Sequence, residues 1–350
     1  MDFSMLWATS ALHDQPETIN ETIEHAVALE ELGYDCVWFA EHHFGEYGRP
    51  CPEMMAATVA ARTSRIDIGI GVIVLPWHHP IDVAERVALL DHLSNGRVRF
   101  GVGRGMQPAE FEGYNISLWE AKERFEESLE AIINLWTNDT YAHNGKYWQF
   151  PGIRLLPKPL QKPYPPLYQP ALSDTTVRKI VDRGINGLIG PFLTPWQLLK
   201  ENYFEPWNEI TAEKGRTDLK LVHNEFVYVA ETDEQAYREA KEAAIWYPRK
   251  AGELWASHDA STAPPDYAWL TPVIEKFSKL EYDEIYNDLS LIGSPETVIR
   301  KLKFFEDCGV DELICFTRFG PPMSHELALR SSELFAKHVM PEFKRTRTAK

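Results

Sequence analysis

The strongest constraint in this chain is a rhythm in which short apolar runs alternate with stretches of helical period, the pattern of strands joined by crossover helices. Phe3 to Ala8 is followed by a helix from about Pro16 to Leu32, and Cys36 to Ala40 by a helix near Glu53 to Thr63. Ile66 to Leu75 then precedes a helix from Ile81 to Leu93. Val98 to Val102 precedes a helix whose Ser117-x-x-Glu120 reads as a capping box, with Ala121, Phe125, Leu129, Ile132 and Trp136 on one face.

Between Thr137 and Tyr168 the rhythm pauses in aromatic, glycine and proline residues, among them Pro157, Pro159, Pro163, Pro165 and Pro166. It resumes with Leu167 to Pro170, a helix from about Thr175, Gly187 to Ile189, and Leu221 to Ala230 with a helix after Asp233. Ser294-Pro295-Glu296 supplies a cap, a first-turn proline and a first-turn acid; Val298, Leu302 and Phe305 form the buried face and Gly309 the stop. Leu313 to Phe316 makes the last strand, before a helix near His325 to Val339. About eight strands, each followed by a helix, predict an α/β fold of the TIM type, a closed eight-fold (β/α) barrel, over an open doubly wound sheet. The expected organisation is a single barrel domain over residues 1–345, with insertions at about 138–165 and 246–290. Trp246 to Tyr286 carries Pro248, Pro264, Pro265 and Pro272, many aromatics and no clean strand, so it reads as an insertion before the last strand and a candidate lid.

Composition narrows the classes. With 36 Lys and Arg against 52 Asp and Glu, the formal charge of −16 argues against a nucleic-acid binder, and 44% hydrophobic residues suffice for a packed core. No run of ~18 apolar residues is present, and the start, Met1-Asp2-Phe3-Ser4, is acidic where an export signal is basic. Cys36, Cys51, Cys308 and Cys315 lack CxxC spacing, which fits a reducing cytoplasm better than zinc knuckles or a disulfide framework.

Four segments carry chemistry. Glu41-His42-His43-Phe44 follows the second strand, where barrels place catalytic residues; histidine suits acid–base work, while packing or zinc binding are the alternatives. Gly101-Val102-Gly103-Arg104-Gly105 follows the fourth strand but fails the dinucleotide fingerprint, since Met106 stands at the third glycine position. What remains is an arginine able to grip a phosphate with two prongs, or one paired with a nearby acid. Ser173-Asp174-Thr175-Thr176 opens the helix after the fifth strand as a phosphate-binding terminus or an ordinary cap. Gly69-Ile70-Gly71-Val72 weakens a strand, either for a flat ring or for close packing against a neighbour.

Taken together, Glu41-His42-His43-Phe44, Ile73-Val74-Leu75-Pro76, Leu89-Leu90-Asp91 with Gly96-Arg97, and Gly103-Arg104-Gly105 occur in one order and spacing that resembles the bacterial luciferase-like flavin monooxygenases. The similarity is strongest from about Cys36 to Asn115 and returns at Ser173 to Thr176 and at Gly293 to Glu296. The resemblance implies a dimeric barrel of that type, in which reduced FMN from a separate flavin reductase reacts with molecular oxygen through a flavin hydroperoxide to oxygenate a small organic substrate. It implies that His42 is catalytic and that Arg104, Ser173 and Thr176 hold the FMN phosphate. It further implies a non-prolyl cis peptide at Gly71-Val72 under the flavin ring, and flavin contacts from Met106 and Leu172. His43, Trp77 and His78 fall on the substrate side, where Trp77-His78-His79-Pro80 replaces a smaller, less aromatic segment. Gly103 stands where the alpha subunit of the light-emitting members has a reactive cysteine, so light emission is not implied. The alternatives are a deazaflavin-dependent oxidoreductase of the same superfamily and a non-catalytic luciferase-like subunit.

Overall fold

The computed structural model describes residues 1–7, 16–45, 49–189, 193–255 and 264–344. Its strands are β1 (Asp2–Trp7), β2 (Cys36–Phe39), β3 (Asp67–Val74), β4 (Val98–Gly103), β5 (Tyr141–Asn144), β6 (Gln149–Ile153), β7 (Leu167–Ala171), β8 (Asn186–Ile189), β9 (Leu221–Val229), β10 (Leu291–Gly293) and β11 (Glu312–Phe316). The main sheet runs β10-β9-β11-β1-β2-β3-β4-β7-β8, and a further β8–β9 pairing closes it into an eight-stranded barrel with β10 appended to β9. The ladders are parallel: Phe3 lies opposite Leu313, and Leu188 opposite Val222 at the closure. This is the TIM-type barrel that the sequence rhythm predicts. No helix among the described residues is long and apolar enough to cross a membrane.

The chain forms two compact units. One comprises Met1–Trp38, Tyr168–Tyr247 and Leu280–Lys350; the other comprises Phe39–Leu167 and Pro248–Lys279. In the first, alternate strand residues separate two cores, as a period of two requires. Cys36, Trp38, Tyr168, Val222 and Ile314 pack on one side with Leu6 and Leu188, while Phe3 turns to Phe335 and Phe343. The buried Glu312 accepts hydrogen bonds from Ser4 Oγ and, at 3.3 Å, from Trp38 Nε1. Ser294 caps the helix Pro295–Asp307 by accepting the Thr297 N–H, and Val298, Leu302 and Phe305 are buried on it as the pattern predicts.

One local expectation is corrected, and the two expected insertions gain their structure. Ser117 accepts from the Trp119 N–H and caps a 3₁₀ turn, so the capping box does not form and the helix starts only at Ala121. The pause at 138–165 contains the antiparallel hairpin β5–β6. The stretch Trp246 to Tyr286 is largely helical where it is described: the helix Asp233–Trp255 runs through Pro248, and Leu270–Lys279 and Tyr282–Asp288 follow. Residues 256–263 of the expected lid lie outside the described residues. These helices accommodate their prolines because Pro265 and Pro272 occupy first turns, where a missing N–H costs nothing. The strand β10 was also unforeseen, being too short to register as an apolar run.

The Leu89-Leu90-Asp91 and Gly96-Arg97 motif is a clamp in the second unit. Asp91 is fully buried and accepts from the Gln161 N–H at 2.8 Å and Nε2 at 2.7 Å. Arg97 donates to the carbonyls of Ala60, Thr63, Ile66 and Ser94 and to Thr63 Oγ1, tying the end of the helix Pro52–Ala60 to the entry of β3. A lysine cannot reproduce this planar fork. Arg97→Lys is therefore expected to lower stability by about 2–4 kcal/mol, from several lost charge-assisted bonds, measured by urea unfolding.

Candidate active site

The C-terminal ends of β2, β3 and β4 lie in the second unit and carry most of the candidate residues. Glu41 follows β2 with its side chain 1% exposed. Such a charge must be fully satisfied, and it is: Oε1 accepts from His43 Nε2 at 2.9 Å and His78 Nε2 at 2.6 Å, and Oε2 from the Val74 N–H at 2.7 Å. Burial alone pushes the carboxyl up, but the bonds from both histidines, the charge of His78 and the Val74 amide outweigh it and hold it at about 2. Tyr114 Oη lies 3.2 Å from His43 Nδ1 and Arg86 Nη2 lies 3.5 Å from His78 Nδ1. The Glu41 carboxylate only accepts, so both rings carry hydrogen on the Nε2 that faces it. Trp77 stacks on Tyr114 at 5.3 Å and meets His43 edge-on, and its buried Nε1 has no hydrogen-bond partner among the described residues. Trp77, His78, His79, Asp82, Glu85 and Arg86 line a surface depression of about 400 Å³.

His42 belongs to a second cluster. Its Nδ1 lies 3.0 Å from Gln107 Nε2 and 3.4 Å from Glu110 Oε1, and that oxygen also accepts the His43 N–H at 2.8 Å. Gln107 and Glu110 come from the turn and short helix after β4, where Pro108 is preset for the first position and Glu110 is the first-turn acid.

The Gly71–Val72 peptide is cis, as the resemblance implies. Beside it, a Cβ on Gly103 would come within 2.5 Å of Val72 Cγ2, and one on Gly101 within 2.3 Å of the Ile70 carbonyl. These two β4 glycines thus answer to close approach of β3. Arg104 is engaged by an acid: Nη1 lies 3.1 Å from Asp266 Oδ2, Nη2 donates to the Asp266 carbonyl, and the guanidinium sits over the Tyr267 ring at 4.8 Å. Lys122 shares Asp266 at 3.0 Å, and Tyr267 Oη donates to the Gly105 carbonyl. Met106 follows in the same segment, partly buried.

Leu172, Ser173 and Thr176 belong to the other unit. Ser173 caps the helix Asp174–Asp182 by accepting the Thr176 N–H, and the two hydroxyls are 3.0 Å apart. Among the described residues no group of three or more His, Cys, Asp and Glu side chains is arranged to hold a metal ion. The sequence reading gave no role to Glu41, Gln107, Glu110 or Asp266. The Gln107-Pro108-x-Glu110 helix start was the one local signal available for the middle pair.

A parallel eight-stranded barrel bearing histidines, buried carboxylates and an arginine beyond its strand C-termini has the architecture of a barrel enzyme. The family model of luciferase-like monooxygenases matches residues 1–312, and the chain belongs to that family. It is 29% identical to the oxygenase component of flavin-dependent trigonelline monooxygenase of Acinetobacter baylyi, over 98% of this chain and 96% of that one. It is 30% identical to limonene 1,2-monooxygenase of Rhodococcus erythropolis, over 92% and 80% respectively. The fold is shared with the oxygenating constituent of 3,6-diketocamphane monooxygenase of Pseudomonas putida, solved with FMN, at TM-score 0.81 and 21% identity over 99% and 100% of the two chains.

The Glu41 cluster sets a pH dependence. A carboxyl lowered from an ordinary 4.5 to about 2 contributes stability that is complete above pH 4.5 and lost as pH falls toward 2. The urea-unfolding stability of Glu41→Gln is expected to fall below wild type by about 3 kcal/mol at neutral pH, with the gap narrowing below pH 4.5. A gap independent of pH would assign the loss to shape instead of charge.

Proposed function

We propose that the chain is the oxygenase component of a two-component monooxygenase that takes reduced FMN from a separate reductase and oxygenates a small organic substrate, with His42 as its proton-transfer group. The observation that carries this reading is His42 itself: an imidazole just after β2, gripped at Nδ1 by two buried side chains, in a chain similar over its length to a flavin-dependent oxygenase component.

The residues fit a flavin phosphate. Arg104 accepts an anion already, in the Asp266 carboxylate, whose oxygens stand in for those of a phosphate. Ser173 and Thr176 offer hydroxyls, and their helix start offers the amides of a positive terminus. Within the second unit, Arg104 is proposed as a phosphate-holding residue and Gly71, Val72 and Met106 as ring neighbours; within the first, Ser173 and Thr176 are proposed as phosphate-holding residues and Leu172 as a ring neighbour. Reduced flavin, when bound, supplies the electrons and the reaction with oxygen. The chain orients it, keeps water away with the aromatic group of Trp77, Phe111 and Tyr114, and moves a proton at His42 Nε2. His43, Trp77 and His78 are assigned to the substrate side, where the buried Trp77 Nε1–H is a donor for a polar substrate atom. Exposed Met54, Leu89 and Leu93, on the helices after β2 and β3, support a homodimer through that face.

His42→Ala is expected to bind reduced FMN normally but to lower the yield of oxygenated product by ~100-fold, followed with the purified chain, a flavin reductase and a substrate panel. Normal turnover in that variant, or binding of a deazaflavin coenzyme and not of FMN, would overturn the reading. The phosphate assignment is tested separately. Arg104→Ala should weaken FMN binding by about 10–100-fold and leave riboflavin, which lacks the phosphate, unaffected in equilibrium titrations.

A further inference from the structure

We propose that Glu110 and Gln107 are positioning residues for His42: the amide holds the neutral ring with its proton on Nε2, and the carboxylate receives Nδ1–H when the ring is charged. The inference rests on the proposed role of His42 and adds how its proton is placed.

Both partners address one atom. Gln107 Nε2 lies 3.0 Å from His42 Nδ1, and an amide nitrogen only donates, so Nδ1 must present its lone pair and the neutral ring must carry hydrogen on Nε2. Glu110 Oε1 lies 3.4 Å from the same nitrogen, and an ionised carboxylate only accepts. It therefore gains a proper bond only when Nδ1 acquires a proton. Two partners of opposite character on one nitrogen match two protonation states of one ring, which is what a group that gives and regains a proton requires.

The mounting is rigid where it must be. Glu110 is anchored independently, accepting the His43 N–H at 2.8 Å, so the carboxylate tracks the histidine segment. Gln107 and Glu110 are 3% and 2% exposed and joined by a backbone bond from the Glu110 N–H to the Gln107 carbonyl, so neither can swing away to water. Among the described residues, the titratable groups linked to the His42 ring include Glu110 directly, His43 through Glu110, and Glu41, Tyr114 and His78 beyond His43. Arg49 lies across the turn, its carbonyl accepting the His42 N–H. The tautomers of His43 and His78 are both set by Glu41, whereas Glu110 lies directly against the His42 ring.

The test is a histidine ¹⁵N NMR titration of the flavin-free chain, with the His42 signals assigned by their loss in His42→Ala. Wild type is expected to show the Nε2–H tautomer at high pH. Glu110→Gln should lower the proton affinity of His42 by about tenfold or more, and Glu110→Asp should recover part of it. Gln107→Leu should let the neutral ring populate both tautomers. With substrate, Glu110→Gln should lower kcat by about tenfold with KM unchanged and shift the pH profile in the direction of the NMR titration. An unaltered His42 titration in Glu110→Gln overturns the inference, as does an unaltered tautomer in folded Gln107→Leu. Failure of the underlying reading looks different: His42→Ala would turn over normally while the NMR shifts remain as described.

Discussion

One buried charge organises the active end of this barrel. The Glu41 carboxylate cannot remain ionised inside the protein without donors on both oxygens, and the donors it finds come from three places: the Val74 amide at the end of β3, His43 two residues on, and His78 beyond the following turn. Removing any of them strands charge, so the ends of β2 and β3 are locked in one relative position. His43 and His78 are then constrained as hydrogen-bond donors whatever else they do. That commitment separates the two adjacent histidines, leaving His42 to Gln107 and Glu110, and the division follows from an extended segment sending neighbouring side chains to opposite sides.

A parallel logic holds the outer layer of the same unit. Arg97 and Asp91 fix the ends of helices by satisfying backbone and amide groups. These two residues are structural, whereas on the proposed function the Glu-His-His segment combines structure and chemistry in consecutive residues. Stability and reactivity share the same charges at the strand ends and are kept apart at the helix ends.

The barrel was legible because the change of hydrophobic period from two to helical recurs at every unit, and a local signal repeated that often survives individual errors. Proline carried less information: Pro265 and Pro272 sit in first turns and Pro248 inside a helix, so the stretch Trp246 to Tyr286, read as an insertion without a clean strand, did not announce its helices. The partners of the histidines were illegible for another reason: Glu110 and His42 are 68 positions apart and Glu41 and His78 37 apart, and no periodicity encodes which acid faces which base. Arg104 shows the limit of residue-type reasoning. Phosphate grip and acid pairing were both open from sequence, and the structure shows the pairing, with Asp266.

That pairing bears on how a cofactor could come and go. On the proposed reading, the phosphate must displace Asp266 from Arg104 and Lys122, so binding exchanges one anion for another instead of filling a bare cation. The gain is only the difference between two ion pairs. An arginine preloaded with a carboxylate is shielded from stray anions and holds a phosphate less tightly than a free guanidinium would. For an enzyme whose cofactor arrives reduced from elsewhere and must leave oxidised after each cycle, moderate grip is the useful regime, since a tightly held product would itself limit turnover.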